Sequence, residues 1–289
     1  MRAVPSAPIL LAGHPVHRMG FGAMQLPGPG VLGPPADRGL ALAVLRRAVE
    51  AGVDHIDTAQ FYGPDVANEL IREALHPYPE ELVLVSKVGA ARDQQGKWLS
   101  AQRPEELRSG VEANLRSLGL DQIPVVNLRR HPAADMPFSE QLNAMKDFRD
   151  EGLIGAIGLS NVSVDDYLTA RAQIEVACVQ NAYNLVSRQE QSLLDACRAD
   201  GVPFVPFFPL GSSFAKENSV LRSPTVREVA SRLGVTAAQV ALAWLLAQAP
   251  VMLLIPGTSS LSHLNENLAA DQVSLDQAAL SALQDLGAG

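Results

Sequence analysis

Three short segments hold a set of side chains that could act together: His55-Ile56-Asp57-Thr58-Ala59-Gln60-Phe61-Tyr62-Gly63, Ser86-Lys87-Val88 and Gly158-Leu159-Ser160-Asn161. They supply a carboxylate (Asp57), a phenol (Tyr62), an amine (Lys87) and a hydroxyl and amide pair (Ser160 and Asn161). A free phenol, with a pKa of about 10, is a poor proton donor at neutral pH, but a neighbouring cation stabilises the phenolate and lowers that value. With Lys87 as that cation and Asp57 holding its charge and position, Tyr62 would become a general acid for a carbonyl oxygen turning into an alkoxide. Such a device suits carbonyl reduction by hydride transfer from a nicotinamide. Ser160, Asn161 and Gln180 could hydrogen-bond a carboxamide and fix one face of that ring. Each residue also has a plain reading: a solvated lysine at a strand end, an aspartate capping a loop, a tyrosine packed in the turn before Gly63-Pro64. Their joint placement favours chemistry.

Each segment lies at or just past the end of an apolar run that reads as a strand. Eight such runs occur: Arg18–Met24, Asp54–Thr58, Leu82–Val88, Ile123–Arg129, Ile154–Ser160, Val176–Asn181, Pro203–Leu210 and Val251–Gly257. Helix-period segments fall between or after them, at Ala36–Glu50, Asp65–Leu75, Pro104–Leu118, Ser139–Asp150, Val164–Arg171, Ser187–Asp200, Thr225–Ala247 and Ser260–Ala269. Start signals precede several of these, such as Ser163 before Asp165 and Asp166, and Pro104 before Glu105 and Glu106. Gly52, Gly119, Gly152, Gly201 and Gly234 fall where helices should stop. The alternation predicts an α/β protein, a closed (β/α)8 TIM barrel forming a single domain over residues 1–289. The segment Ile9–Arg18 would be a β-hairpin at the barrel floor. Period two sets Val53, His55 and Asp57 on one face, Val83, Val85 and Lys87 on another, and Val125, Asn127 and Arg129 on a third. The polar member comes last in each set, so the charges gather at the C-terminal mouth, where barrel enzymes carry their sites.

The chain has 289 residues, 47% of them hydrophobic, enough for one large core. Net charge is −8 and no basic cluster exceeds a dipeptide such as Arg46-Arg47, which argues against a nucleic-acid or anionic-membrane partner. Cys178 and Cys197 sit in apolar runs and read as buried free thiols of a reducing compartment. The N-terminal apolar run, Ile9 to Ala12, is too short for a signal-peptide core, and no run approaches a membrane span, so a cytoplasmic location is expected. The expected partner is a small-molecule carbonyl compound; oligomeric state is not legible.

The chain resembles the aldo-keto reductases over nearly its whole length. The resemblance rests on Met19-Gly20-Phe21-Gly22, Asp57-Thr58-Ala59 with Tyr62-Gly63, Ser86-Lys87, Gly158-Leu159-Ser160-Asn161, Gln180-Asn181-Ala182-Tyr183-Asn184, Pro209-Leu210-Gly211, and Ile255-Pro256-Gly257-Thr258 with Glu266-Asn267. Within that family it is similar to bacterial members of the pyridoxal reductase type, through Gly22-Ala23-Met24-Gln25-Leu26, Val126-Asn127-Leu128-Arg129 and Val205-Pro206-Phe207-Phe208-Pro209-Leu210-Gly211. The resemblance implies an NADP(H)-linked reductase of aldehydes or ketones, with Tyr62 as acid and Lys87 and Asp57 as its supports. It further implies that Phe207 stacks on the nicotinamide and that Ser160, Asn161 and Gln180 bind the carboxamide. Gly22, Leu210 and Gly211 would line the cofactor site, and Thr258, Ser259, His263 and Asn267 its adenosine end.

The chain departs from that family twice. The usual fourth catalytic residue is a His ending the fourth strand; here Arg129 holds the aligned position and His131 follows two residues on. Arg129 would add a second cation but cannot act as a neutral imidazole. The segment Gly257–Asn267 also lacks Lys and Arg, which leaves NAD(H) use open beside NADP(H). Gly28-Pro29-Gly30-Val31-Leu32-Gly33 matches GxGxxG literally, but Pro29, Pro34 and Pro35 remove amides and delay a helix, so it reads as a stiff loop over the mouth. Met24, Phe61 and Trp98 are candidates for a substrate wall. His14, His17, His55 and His76 show no metal-ligand spacing, and no metal is expected. Two alternatives stand beside carbonyl reduction: Schiff-base chemistry on Lys87, and a nucleotide-binding regulatory subunit with little turnover.

Overall fold

Residues 7–211 and 218–287 are described in the computed structural model of the chain. Two short strands, β1 (Ile9–Leu11) and β2 (His14–Val16), pair antiparallel around Ala12-Gly13, both at positive φ. There follow β3 (Phe21–Gly22), α1 (Arg38–Glu50), β4 (His55–Asp57), α2 (Val66–Leu75) and β5 (Val83–Val88). A second antiparallel pair, β6 (Ala90–Arg92) and β7 (Trp98–Ser100), precedes α3 (Pro104–Leu118). Then come β8 (Ile123–Arg129), α4 (Phe138–Asp150), β9 (Ile154–Ser160), α5 (Val164–Arg171), β10 (Val176–Gln180) and α6 (Gln191–Asp200). Four helices complete the described chain: α7 (Pro224–Leu233), α8 (Ala237–Gln248), α9 (Leu261–Leu268) and α10 (Gln277–Gln284).

The curled central sheet has six parallel strands in the order β10-β9-β8-β5-β4-β3. Single parallel bridges link its two edges: Val179 to Phe204, Phe204 to Met252, and Leu254 to Met19. Thus the expected strands Pro203–Leu210 and Val251–Gly257 contribute bridges rather than full ladders. The reason is local. Pro203, Pro206, Pro209 and Pro256 each remove a backbone donor, which a ladder cannot spare.

The helices form where their termini were legible. Ser163 and Asp166 make a reciprocal capping box on α5, Pro104 opens α3, and Gly119, Gly201 and Gly234 end α3, α6 and α7 in left-handed conformation. The helical stretch Thr225–Ala247 divides at Gly234, where a stop was expected, into α7 and α8, bent by 95°. Thr236 accepts from the Gln239 amide and restarts the helix. Two elements were not expected: the β6–β7 hairpin and α10. The helix expected from Ser187 begins at Gln191. No single helix among the described residues is long and apolar enough to cross a membrane.

Side chains segregate as a period of two requires. Val83, Val85 and Val125 join Cys178, Val205 and Leu253 in an interior cluster, and Leu11 and Val16 of the β1–β2 pair are buried in it. The opposite strand faces, with Leu84, Val126, Leu128 and Leu159, pack under the helices. Each fully buried aliphatic side chain contributes about 1.5–3 kcal/mol by leaving water. His55 is buried, with Nδ1 3.3 Å from Asp54 Oδ1. Gly20 makes room for it, since a Cβ there would lie 2.1 Å from His55 Nε2.

Gly158 serves the same purpose under the site. A Cβ there would meet Asn127 Oδ1 at 1.9 Å and Cys178 Sγ at 2.9 Å. Gly158→Ala is therefore expected to destabilise the fold by about 1–3 kcal/mol, lowering the melting temperature by about 2–10 °C. Thermal denaturation followed by circular dichroism checks this; an unchanged transition would mean that the two neighbours yield freely.

Candidate active site

Parallel register brings the three segments together. Asp57 of β4 pairs with Val85 of β5, Lys87 pairs with Asn127 of β8, and Arg129 pairs with Ser160 of β9. Their inward side chains therefore rise step by step around one mouth. Lys87 Nζ donates to Asp57 Oδ1 at 2.5 Å and to the Thr58 carbonyl at 2.9 Å. Gln180 Nε2 donates to Asp57 Oδ2 at 2.8 Å, so both carboxylate oxygens are engaged. Lys87 Nζ also lies 5.0 Å from the centre of the Tyr62 ring. All four side chains are nearly fully buried. Burial opposes the charge on Lys87, but attraction to Asp57 and then Tyr62 outweighs it and holds the ammonium above the ordinary lysine range.

A layer behind these groups was not read from the sequence. Thr58 Oγ1 donates to Asn68 Oδ1 (2.7 Å), Asn68 Nδ2 to Asn114 Oδ1 (2.8 Å), and Ser86 Oγ to the same Asn114 oxygen (2.5 Å). Asn114 Nδ2 reaches the Lys87 carbonyl at 3.3 Å. The two asparagines project from α2 and α3 and tie those helices to the residues flanking Asp57 and Lys87. Their signal was available as amides within otherwise apolar helix faces, which demand partners when buried.

The group opens into a cavity of ≈ 410 Å³. Its wall contains the expected Gly22, Met24, Phe61, Trp98, Asn161, Phe207, Leu210 and Gly211 together with Asp57, Tyr62, Lys87 and Gln180. Phe61 makes edge contacts with Tyr62 (ring centres 5.4 Å apart) and with Trp98 (5.6 Å). Trp98 arrives on the unexpected β6–β7 hairpin, where Arg92 lies 4.2 Å over its ring and donates to the Gly30 and Val31 carbonyls. The proline-rich loop is thus bound to that hairpin. It lines an adjoining cavity that shares Met24 and Gln25 with the first. Gly22 permits closure of the mouth, because a Cβ there would stand 2.5 Å from the Ile255 carbonyl oxygen.

Arg129 and His131 both reach the cavity, by different routes. Arg129 ends β8 and points inward, with its guanidinium carbon 5.3 Å from the Phe207 ring centre and Nη1 donating to Ser160 Oγ at 3.2 Å. Burial disfavours its charge, and Tyr62 and Asp57 partly offset that. Gln102 Nε2 holds the Arg129 carbonyl at 2.5 Å. His131 has left the strand and accepts the Ala133 amide on Nδ1 at 3.1 Å, so it is a loop residue at the rim.

Other expected site residues fall outside the main cavity or spend part of their bonding on the backbone. Ser160 is fully buried beneath Arg129 rather than lining the cavity. Asn161, held at φ +57, spends one amide hydrogen on the Arg130 carbonyl at 3.1 Å. Thr258, Ser259, His263 and Asn267 lie outside the main cavity; Ser259 lines the adjoining one, and Thr258 Oγ1 accepts the Ser260 amide at 3.1 Å just before α9. Arg130, Phe208, Pro209 and Pro256 line the main cavity without having been expected there. Cys178 and Cys197 are both buried, and burial pushes each thiol up to about 12, which removes them as nucleophiles. No group of three or more metal-ligating side chains is assembled among the described residues.

A profile of the Aldo/keto reductase family matches residues 18–288. Pyridoxine 4-dehydrogenase of Escherichia coli (strain K12) is 48% identical over 276 residues, covering 94% of this chain and 95% of the relative. An uncharacterized oxidoreductase of Schizosaccharomyces pombe is 38% identical over 273 residues, covering 94% and 87% of the two chains. Among solved structures, an aldo/keto reductase from Klebsiella pneumoniae in complex with NADP and acetate superposes with a TM-score of 0.82 at 26% identity, covering 98% of this chain and 95% of that one. With the family's sequence extending over almost the whole chain and its fold around the cavity, this chain belongs to the aldo/keto reductase family.

Proposed function

We propose that the chain, as one domain, is an NADP(H)-dependent reductase that converts an aldehyde or ketone to an alcohol, with pyridoxal-like aldehydes as its leading substrate class. The substrate class follows the name of the Escherichia coli relative, and the cofactor follows the NADP complex of the Klebsiella pneumoniae structure. The observation that carries the proposal is the buried Lys87–Asp57 pair against the Tyr62 ring, at the base of an aromatic-walled cavity.

The bound cofactor supplies a hydride to the carbonyl carbon. Tyr62 supplies the proton to the carbonyl oxygen, and Lys87 compensates the negative charge left on the phenolate. Asp57 fixes Lys87, and Gln180 fixes Asp57. Arg129 adds a second positive charge at the rim, with His131 beyond it. Phe61, Trp98 and Phe207 keep water from the reacting groups, which strengthens each charge interaction.

The chain's free polar groups fit a nicotinamide nucleotide. Gln180 and Asn161 each retain a carbonyl oxygen and an amide hydrogen. These complement the donors and acceptors of a carboxamide. Phe207 offers a ring face, Gly22, Leu210 and Gly211 offer close backbone approach, and Thr258, Ser259, His263 and Asn267 lie towards the adenosine end. The N-terminus of α9 suits a phosphate. The β1–β2 pair closes the barrel floor.

The raised pKa of Lys87 disfavours Schiff-base chemistry, which needs a neutral amine. A regulatory subunit would bind nucleotide without turnover. A screen of aldehydes and ketones with NADPH and with NADH, read as loss of nicotinamide absorbance, tests the proposal. Turnover with pyridoxal and NADPH is expected; tight nucleotide binding with no turnover on any carbonyl compound would sink it.

A further inference from the structure

Beneath the mouth, the barrel interior encloses a much smaller cavity of ≈ 10 Å³. His55 and Asp57 both form part of its wall. Most of the other walls are apolar, and Gln180 and Cys178 already direct a donor at Asp57 and at Asn127. A space of this size takes one water when at least two polar groups face it.

His55 supplies the first such group. It is 1% exposed, and its Nε2 has no hydrogen-bond partner among the described residues. A buried polar atom left unpaired is costly. The ring is held from the floor side. The His17 amide and Nδ1 lie 2.9 and 2.6 Å from Asp54 Oδ2, and Asp54 Oδ1 lies 3.3 Å from His55 Nδ1. With Nδ1 fixed there, Nε2 stands 2.1 Å from where a Cβ on Gly20 would be. Gly20 lies two residues before Gly22, which faces the main cavity, so that point is inside the barrel.

Asp57 supplies the second group. Lys87 and Gln180 each take one lone pair of its two oxygens, and each oxygen keeps another. His55 and Asp57 alternate on one face of β4, so their side chains leave the strand about 7 Å apart. That is too far for a direct hydrogen bond, whereas two hydrogen bonds through a water span about 5–6 Å. Bare or protonated, Nε2 can bond a water that still has a hydrogen for Asp57.

We propose that this cavity is a binding site for one water that bridges His55 Nε2 to the Asp57 carboxylate, which makes His55 a positioning residue for the proton-transfer group. Lys87 and Gln180 hold the carboxylate from the mouth side, and the water holds it from beneath. The carboxylate then cannot rotate, and Lys87 keeps its place against the Tyr62 ring. The positioning role rests on the reductase reading; the water site does not.

Two substitutions separate the bridge from plain packing. Asn carries its polar atoms near the place of Nδ1, and Gln near the place of Nε2. His55→Asn therefore keeps the contact with Asp54 and loses the bridge, and His55→Gln does the reverse. His55→Asn should lower kcat about 10-fold, the usual contribution of one hydrogen bond to a charged group. KM and the nucleotide dissociation constant should stay within about twofold, because His55 lies outside the main cavity. His55→Gln should restore kcat to within about threefold of wild type. Equal losses in the two variants, or a greater loss in His55→Gln, overturn the positioning role. A high-resolution crystal structure of the wild type needs neither variant nor turnover. It should show an ordered water within about 3.2 Å of both His55 Nε2 and an Asp57 oxygen; no water there overturns the proposal. Absence of turnover with every carbonyl compound removes the reductase reading and the positioning role with it, while the crystal still decides the water site.

Discussion

Tyr62→Phe is expected to lower kcat by about 10²–10⁴-fold, the usual contribution of a positioned general acid, while nucleotide affinity stays nearly unchanged. The substitution removes one oxygen and keeps the ring. The edge contact with Phe61 and the approach of Lys87 to the ring involve the aromatic body, so the fold and the cavity wall should survive. A small change in the dissociation constant together with a large fall in single-turnover rate would place the loss in the chemical step. Nucleotide titration and rapid mixing measure the two separately. Turnover at the wild-type rate would remove Tyr62 from the mechanism.

Lys87→Met should damage both stability and activity. It removes one partner of a buried ion pair and leaves Asp57 with Gln180 alone in the interior, a change that costs about 3–5 kcal/mol when the remaining charge has no other escape. It also deletes the cation that supports the Tyr62 phenolate, so the chemical step should fall by at least the Tyr62→Phe factor. The pH dependence follows from the raised pKa of Lys87. A group that titrates higher in the folded than in the unfolded chain gives its full stabilisation below the unfolded value and loses it as pH rises through the folded one. The stability gap between wild type and Lys87→Met should therefore be constant through neutral and mildly alkaline pH and close only in strong alkali. Urea denaturation at several pH values measures it. A gap that narrowed already between neutral and mildly alkaline pH would mean that Lys87 is not the group responsible.

The main cluster was legible because strand periodicity is strict. Val83, Val85 and Lys87 alternate with outward residues, as do Val125, Asn127 and Arg129, and a polar residue ending an inward series must stand at the mouth. The same rule put Arg129 inside and left the following loop, with His131, without a predicted direction. The interior asparagines Asn68 and Asn114 were missed because their partners, Thr58 and Ser86, lie on separate elements. Trp98 was suspected of lining a wall, but nothing local announced the hairpin that brings it there, since its strands are only three residues each.

Local order along the chain was enough for most of the elements, their sequence, and the carboxylate, phenol and amine that meet at the mouth, because each depends on spacing within a dozen residues. Closure and partnership needed three dimensions. Prolines thinned the seventh and eighth strands to single bridges that still join the sheet edges; register put Ser160 beside Arg129, and the curl of the sheet brought Gln180 of β10 across to Asp57 of β4. Which charge is neutralised and which is left facing the cavity depends on contacts between residues as far apart as 57 and 180, and no one-dimensional pattern encodes distances of that kind.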